Sequence, residues 1–476
     1  MSDASPRFSG RLQDGTECVL YLDEDGPRLE VDRDHHHPLD MFSPSDEQDR
    51  LVMRITDSKC ATLTGAYSSR TLSNFSRSFT EYRANVTYIG PTEFHGLADI
   101  KRITFRPTNE RLAVLYRGHR IHSIVDSDQA TLSSIYAQEK QGGRYFVDII
   151  DNERRCAFEA TAGGIVVSGS VHLTVKNDVQ GHETVESRVV SLKYDNPTDV
   201  TTAFSDMLSV CDFMSLMIGL TVSPVTIEIV TEGAPDHYQR PPSFEVYAHW
   251  REAGKEVEPK HGRRCLAAPL FDQAAYVAAL AAWLNRKEEW STSHALGTVC
   301  FSHPDEISSR RFLDAAAWFE SIPASIYERA RDRIPKDIIS AAAKAAAAVF
   351  ADKEIDVSEG RTRALLGQLN AASLSARIED ALTFARMTFG EEQLPPSLDY
   401  LGAMIPRIRG KFAHGDDPFT GELGHLVYDA TLLLEVLSGA LTLSELGVRI
   451  APEMGGHKLR RGLFELMDFS APSLIE

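Results

Sequence analysis

Residues 165–176 read IVVSGSVHLTVK, and their order decides between the two regular structures. Ile165, Val167, Val171, Leu173 and Val175 put apolar side chains on the odd positions. Ser168, Ser170, His172, Thr174 and Lys176 fill the even ones. A repeat of two turns successive side chains to opposite faces, so this segment is a strand with one dry face and one wet face. Shorter runs of the same kind lie on either side, at Val86 to Ile89, Ile100 to Phe105, Leu112 to Tyr116, Tyr145 to Ile150, Val189 to Tyr194 and Val225 to Val230. Turn-forming residues separate them: Gly90-Pro91, Arg106-Pro107-Thr108-Asn109, Gly142-Gly143 and Asp195-Asn196-Pro197. Many short strands at close spacing predict a sandwich-like or barrel-like sheet.

One helix interrupts the strands. Pro197-Thr198-Asp199 is a start signal, and Phe204, Met207, Leu208, Cys211, Met214, Leu216 and Ile218 follow at roughly helical spacing. It is expected to pack across the sheet. Between Glu232 and Arg264 the chain is rich in Pro, Gly and charge, as in Arg240-Pro241-Pro242, which marks a junction. Beyond it the period becomes helical, with helices expected at Phe271 to Glu289, Glu306 to Arg331, Lys336 to Phe350, Ser373 to Met387, Ser397 to Lys411 and Glu422 to Leu446. The expected architecture is therefore α+β: a β-rich, sandwich-like domain over 1–231, a linker over 232–264 and an all-α bundle over 265–476.

Composition narrows the class. The chain has 476 residues, 43% hydrophobic and 25% charged, the balance of a globular protein of two or three domains. Met207 to Leu220 is interrupted by Asp212 and too short to cross hydrocarbon, so no membrane partner is expected. No basic and apolar leader opens the sequence. The six cysteines are scattered without a CxxC pair and read as reduced thiols of a cytoplasmic protein. A formal net charge of −18 argues against broad binding of nucleic acid, so any contact with RNA must be made by local clusters of Arg and Lys.

The segment that carries chemistry is residues 405–415, IPRIRGKFAHG. Leu398, Leu401, Ile405, Ile408 and Phe412, spaced 3, 4, 3 and 4, form a buried stripe. Arg409 and His414 lie off it. Five residues of regular helix would separate them by about 140° and about 7.5 Å of rise. Pro406, Gly410 and the capping Gly415 predict an irregular helix end, where His414 can swing toward Arg409 and the carbonyl dipoles favour its protonated form.

Arg-x-x-x-x-His at a helix end, followed by Gly, an acidic loop and a long apolar helix, resembles the HEPN superfamily. The segments Phe312 to Ala315 with Glu320-Ser321, Leu374 to Ile378, and Leu432 to Gly447 extend the resemblance through the helical half. The front half, in Phe8 to Leu12, Leu63-Thr64-Gly65 and Val86 to Gly96, resembles the β-rich domain of ApeA-type bacterial anti-phage proteins. The resemblance implies a metal-independent endoribonuclease without cofactor, acting in abortive infection, with tRNA as the first candidate substrate. His414 would transfer protons at the RNA 2′-hydroxyl or the leaving 5′-oxygen, and Arg409 would hold the scissile phosphate. It also implies a homodimer or higher homo-oligomer through the helical domain and a phage-derived trigger at the β-rich one. Gly410 departs from the family pattern, which often has a polar residue there.

Other residues carry two readings each. Lys411 and Arg407 are candidate phosphate contacts on the same helix. Glu320 sits where the family tends to keep an acid, or is a solvated helix face beside Arg329 and Arg331. Arg377 touches RNA, or pairs with Glu379 or Asp380. His425 and Asp429 share a face of the next helix and are candidates to support the site. His35-His36-His37 reads as an exposed loop in preference to a metal site, because consecutive side chains alternate faces on a strand. Arg263-Arg264 and Lys458 to Arg461 are short basic patches, RNA-steering or simply solvated. Two rival readings stand beside the nuclease: a non-catalytic HEPN module for dimerisation or nucleotide binding, and a β-rich ligand-binding domain with a helical scaffold attached.

Overall fold

In the computed structural model the described residues are 6–23, 26–34, 50–56, 59–73, 77–96, 99–114, 156–178, 181–233, 240–248, 273–302, 308–326, 334–367, 373–391, 394, 397–414 and 423–448. They fall into two compact units. The first comprises Met1–Met214, Val222–Glu258 and Phe271–Leu284; the second comprises Ser215–Thr221, Pro259–Leu270 and Asn285–Glu476. The chain is α+β, with one large antiparallel sheet in the N-terminal half and helices in the C-terminal half.

The alternation at 165–176 does form a strand, β11 (Ile165–Asp178), which turns back on β12 (Gly181–Thr198) with Val167 opposite Leu192. Val167 and Val171 are buried, as the repeat of two requires. The remaining strands are β1 (Arg7–Leu12), β2 (Glu17–Asp23), β3 (Gly26–Asp34), β4 (Arg50–Thr56), β5 (Lys59–Thr64), β6 (Tyr67–Ser73), β7 (Arg77–Arg83), β8 (Val86–Gly90), β9 (Ile100–Pro107), β10 (Cys156–Ala162), β13 (Pro224–Thr231) and β14 (Ser243–Ala248). All fourteen join one sheet in the order β10-β11-β12-β9-β13-β14-β8-β5-β4-β1-β2-β3-β7-β6. The expectation was a sandwich-like or barrel-like sheet, and the described strands are continuous in a single antiparallel one. The physical reason is β14, which bonds β13 on one edge (Ile227 opposite Val246) and β8 on the other (Val86 opposite Ala248), so the two blocks of strands are fused.

β14 lies inside the expected linker over 232–264. Phe244 and Val246 are buried on either side of exposed Glu245, an alternation hidden by the prolines before it. Where a strand was expected from Leu112 to Tyr116, residues 112 and 113 end the single turn α1 (Glu110–Ala113), entered through Asn109 in the left-handed region at φ 52°, and residues 115 and 116 lie outside the described residues. The expected strand Tyr145 to Ile150 lies outside the described residues.

The N-terminal strands bury Leu20, Leu29, Val31, Met53, Ala61 and Leu63 in one cluster. The interrupting helix is α2 (Val200–Ile218), started by Asp199, whose carboxylate accepts from the Thr202 amide at 2.9 Å. Phe204 stacks on Tyr88 of the sheet at 6.5 Å between centroids. The next helix, α3 (Gln273–Asn285), belongs to the first unit through Leu284, one helix beyond the expected boundary at 264/265. Its Trp283 indole donates to the Ser209 carbonyl at 2.9 Å, and its Tyr276 ring meets Phe158 and Phe213.

The second unit contains α4 (Lys287–Ser302), α5 (Ser309–Ser321), a 3-10 turn (Ala324–Ile326), α6 (Lys336–Asp352), α7 (Glu359–Gly367), α8 (Leu374–Phe389), α9 (Leu398–Ala413) and α10 (Gly424–Glu445). α10 is apolar and long enough to cross a membrane, but 89% of its most apolar window is buried inside the fold. α4, α5, α8 and α9 pack around it. Within that core Arg311 of α5 grips Glu435 of α10 through two bonds of 2.9 and 3.0 Å, both side chains 4% exposed. Burial alone would lower the Arg311 pKa; the bond and charge of Glu435 reverse it and hold the guanidinium above its ordinary value.

Candidate functional site

The site is built on α9. Leu398, Leu401, Ile405 and Ile408 are buried and Phe412 is half-buried with its ring 5.4 Å from that of Phe312, so the 3-4-3-4 stripe is the packed face of the helix. Gly402 lets α9 come close to α8, because a Cβ there would stand 2.9 Å from a Leu382 methyl and 3.0 Å from an Ile378 methyl. That approach fixes the spacing between the arginines the two helices carry.

Arg409 leaves α9 from the edge of the stripe and meets Glu320, at the end of α5. Its Nη2 donates to Glu320 Oε2 at 2.9 Å and its Nε makes a second close contact with Oε1, giving a two-pronged ion pair. Arg377, from the first turn of α8, donates from Nη1 to the Glu320 main-chain carbonyl at 2.7 Å and approaches the Ile322 carbonyl at 3.5 Å. Glu320 is thus held by two arginines from two helices, one on its carboxylate and one on its backbone. With Leu374, Pro406 and Gly410 these residues line an open cavity of about 430 Å³. A Cβ on Gly410 would meet nothing within 4 Å.

The expected irregular helix end is not there. α9 runs unbroken through Pro406 and Gly410 to Ala413, and His414 is its C-cap, its N–H bonded to the carbonyls of Gly410 and Lys411 at 3.1 Å each. Pro406 lacks only the N–H that would have bonded Gly402, and the stripe on both sides keeps the helix in register. Arg409 and His414 therefore keep the full helical offset of about 140° and about 7.5 Å. The His414 side chain is exposed, does not line the cavity, and has no hydrogen-bond partner among the described residues.

The other candidates divide. Arg407 is exposed, its Nη1 3.9 Å from Met404 Sδ. Lys411 is half-buried in the last turn. His425 is exposed at the start of α10, and its charge acts on Asp429 one turn later: burial raises the Asp429 carboxyl pKa and the imidazole opposes that rise. Sequence reasoning named Glu320 and Arg377 but not their mutual bond, which needs the end of one helix to meet the start of another and leaves no local signal. Leu374 and Pro406 were not singled out as lining. Arg329, Arg331, Gly415, the three histidines at 35–37, Arg263-Arg264 and Lys458 to Arg461 lie outside the described residues.

Among the described residues no group of three or more His, Cys, Asp or Glu is placed to hold a metal ion. Cys18, Cys60, Cys211 and Cys300 form no disulfide among the described residues. Set against family models, curated proteins and solved structures, the chain matches none.

Proposed function

We propose that the second unit is a HEPN-type endoribonuclease that needs no metal and cleaves RNA, with tRNA as first candidate, in anti-phage defence. The observation that carries this reading is the meeting of Arg377 and Arg409 on Glu320 at one open cavity, on the helix whose last turn ends in His414. In this scheme a phosphodiester enters the cavity and takes the Arg409 fork from Glu320, since a phosphate matches the same two-pronged geometry. Arg409 then offsets charge growing on the phosphate oxygens, and Arg407 and Lys411 hold flanking phosphates. His414 moves the proton of the 2′-hydroxyl or of the leaving 5′-oxygen. Because the helix keeps His414 turned away from Arg409 of its own chain, the scheme pairs each Arg409 with the imidazole of a second copy. The β-rich unit is the expected seat of a phage-derived trigger.

The test is end-group analysis of RNA from cells expressing wild type, Arg409→Ala or His414→Ala. Wild type should leave 2′,3′-cyclic phosphate and 5′-hydroxyl ends, and both variants should leave RNA intact. Intact RNA in all three during infection, with equal growth, removes the nuclease reading. The neutralised Arg409 and its offset from His414 favour a second reading, a non-catalytic dimerisation or nucleotide-binding module. That reading requires RNA or nucleotide binding without product ends.

A further inference from the structure

Within the first unit, a second cavity of about 630 Å³ opens along β9, β13 and β14, and Leu22 of β2 with Gly26 and Pro27 of β3 also line it. Its size is in the range of small-molecule sites. The register decides what faces it. Thr104 stands opposite Glu228, and Glu228 stands opposite Glu245, so two carboxylates are direct cross-strand neighbours. Like charges placed this way are destabilising. Arg106 is the diagonal neighbour of Glu228 on the same face, opposite Thr226, within ordinary reach of an ion pair. Yet neither Arg106 nor Glu228 has a partner among the described residues, while Glu245 takes only the Tyr247 hydroxyl, at 2.8 Å. Beside these charges, Val225 exposes apolar surface (46%).

A fold that needed these residues only for stability would pair them or separate them. We infer that this cavity binds a small dipolar ligand of the basic amino-acid class. Its ammonium or guanidinium lies between Glu228 and Glu245, and its carboxylate lies on Arg106. The charges balance: two carboxylates and one guanidinium leave the site one negative charge in excess, and such a ligand carries one positive charge in excess. Val225 takes the aliphatic part. The inference does not depend on the nuclease reading, because binding is measured whether or not the chain cleaves RNA.

Titration calorimetry on the full chain tests it with three probes: L-arginine, agmatine (the same guanidinium without a carboxylate) and glutarate (anion only). L-arginine should bind, agmatine at least about tenfold more weakly, and glutarate not at all. Removing one charge-assisted hydrogen bond should weaken affinity about ten- to a hundredfold. Glu228→Gln should weaken L-arginine by that factor, and Arg106→Met should do so while erasing the preference over agmatine. Without ligand, Glu228→Gln should also raise Tm, by relieving the facing carboxylates; Glu245→Gln repeats both measurements at the partner position. No binding of any probe at millimolar concentration overturns the inference. So does equal affinity for L-arginine and agmatine, or L-arginine affinity unchanged in both Glu228→Gln and Arg106→Met.

Discussion

Two glycines eight residues apart on α9 separate what a single side chain can do there. At Gly410 a Cβ enters open space, so Gly410→Ala should stabilise the helical unit by about 0.5–1 kcal/mol through helix propensity. At Gly402 a Cβ runs into Leu382 and Ile378, so Gly402→Ala should destabilise by about 1–3 kcal/mol. Thermal unfolding of the two variants should show Tm shifts of opposite sign. A third residue, His294, sets a pH response. It is buried on α4, and burial lowers its pKa from 6.5 to about 3. The unfolded chain therefore binds a proton that the folded chain refuses between those values. Its stabilising share is complete above pH 6.5 and falls as the pH drops toward 3, by about 1.4 kcal/mol per unit. Denaturant melts at pH 7 and pH 4.5 should show a smaller loss for His294→Gln than for wild type. These effects were not legible in sequence, where nothing local tells an open glycine from a packed one or a buried histidine from an exposed one, whereas Arg409, Glu320 and Arg377 stood out by residue type and spacing.

Among the elements, the buried link between α5 and α10 is the most sensitive to single changes. Arg311→Met leaves Glu435 charged and unmatched among apolar side chains, which should cost about 3–5 kcal/mol. Adding Glu435→Leu removes the stranded charge, so the double variant should recover most of that loss in chemical denaturation. An unrecovered double variant would mean that packing, not charge, holds the two helices together here. Four helices were legible by a stripe of period 3.6: the expected spans at 336–350, 373–387, 397–411 and 422–446 match α6, α8, α9 and α10 to within a few residues, whereas α4 and α7 were not expected. β14 was hidden because six residues between prolines and charge give too short an alternation to read. The facing of Glu228 and Glu245 was hidden for another reason. Register is a property of two strands and appears only once they pair.

For the whole molecule, the assignment of α3 to the β-rich unit has practical weight. A fragment starting at residue 232 keeps α3 but loses the Ser209 carbonyl, Phe158 and Phe213 that cover Trp283 and Tyr276. A fragment starting at residue 286 leaves that apolar helix out. Size-exclusion chromatography should find the longer fragment more aggregated than the shorter one; equal behaviour would mean that α3 is covered by other means. The place of β14 in the sheet reaches into the cell. Val86 waits for Ala248 before β8 has its second neighbour, and ribosomes add about 5–20 residues per second. During that interval the nascent chain presents β8 as an open edge, a template for pairing with any passing strand. Slowing translation between residues 90 and 248 should therefore lower the yield of native protein, and a chaperone that shields strand edges should restore it.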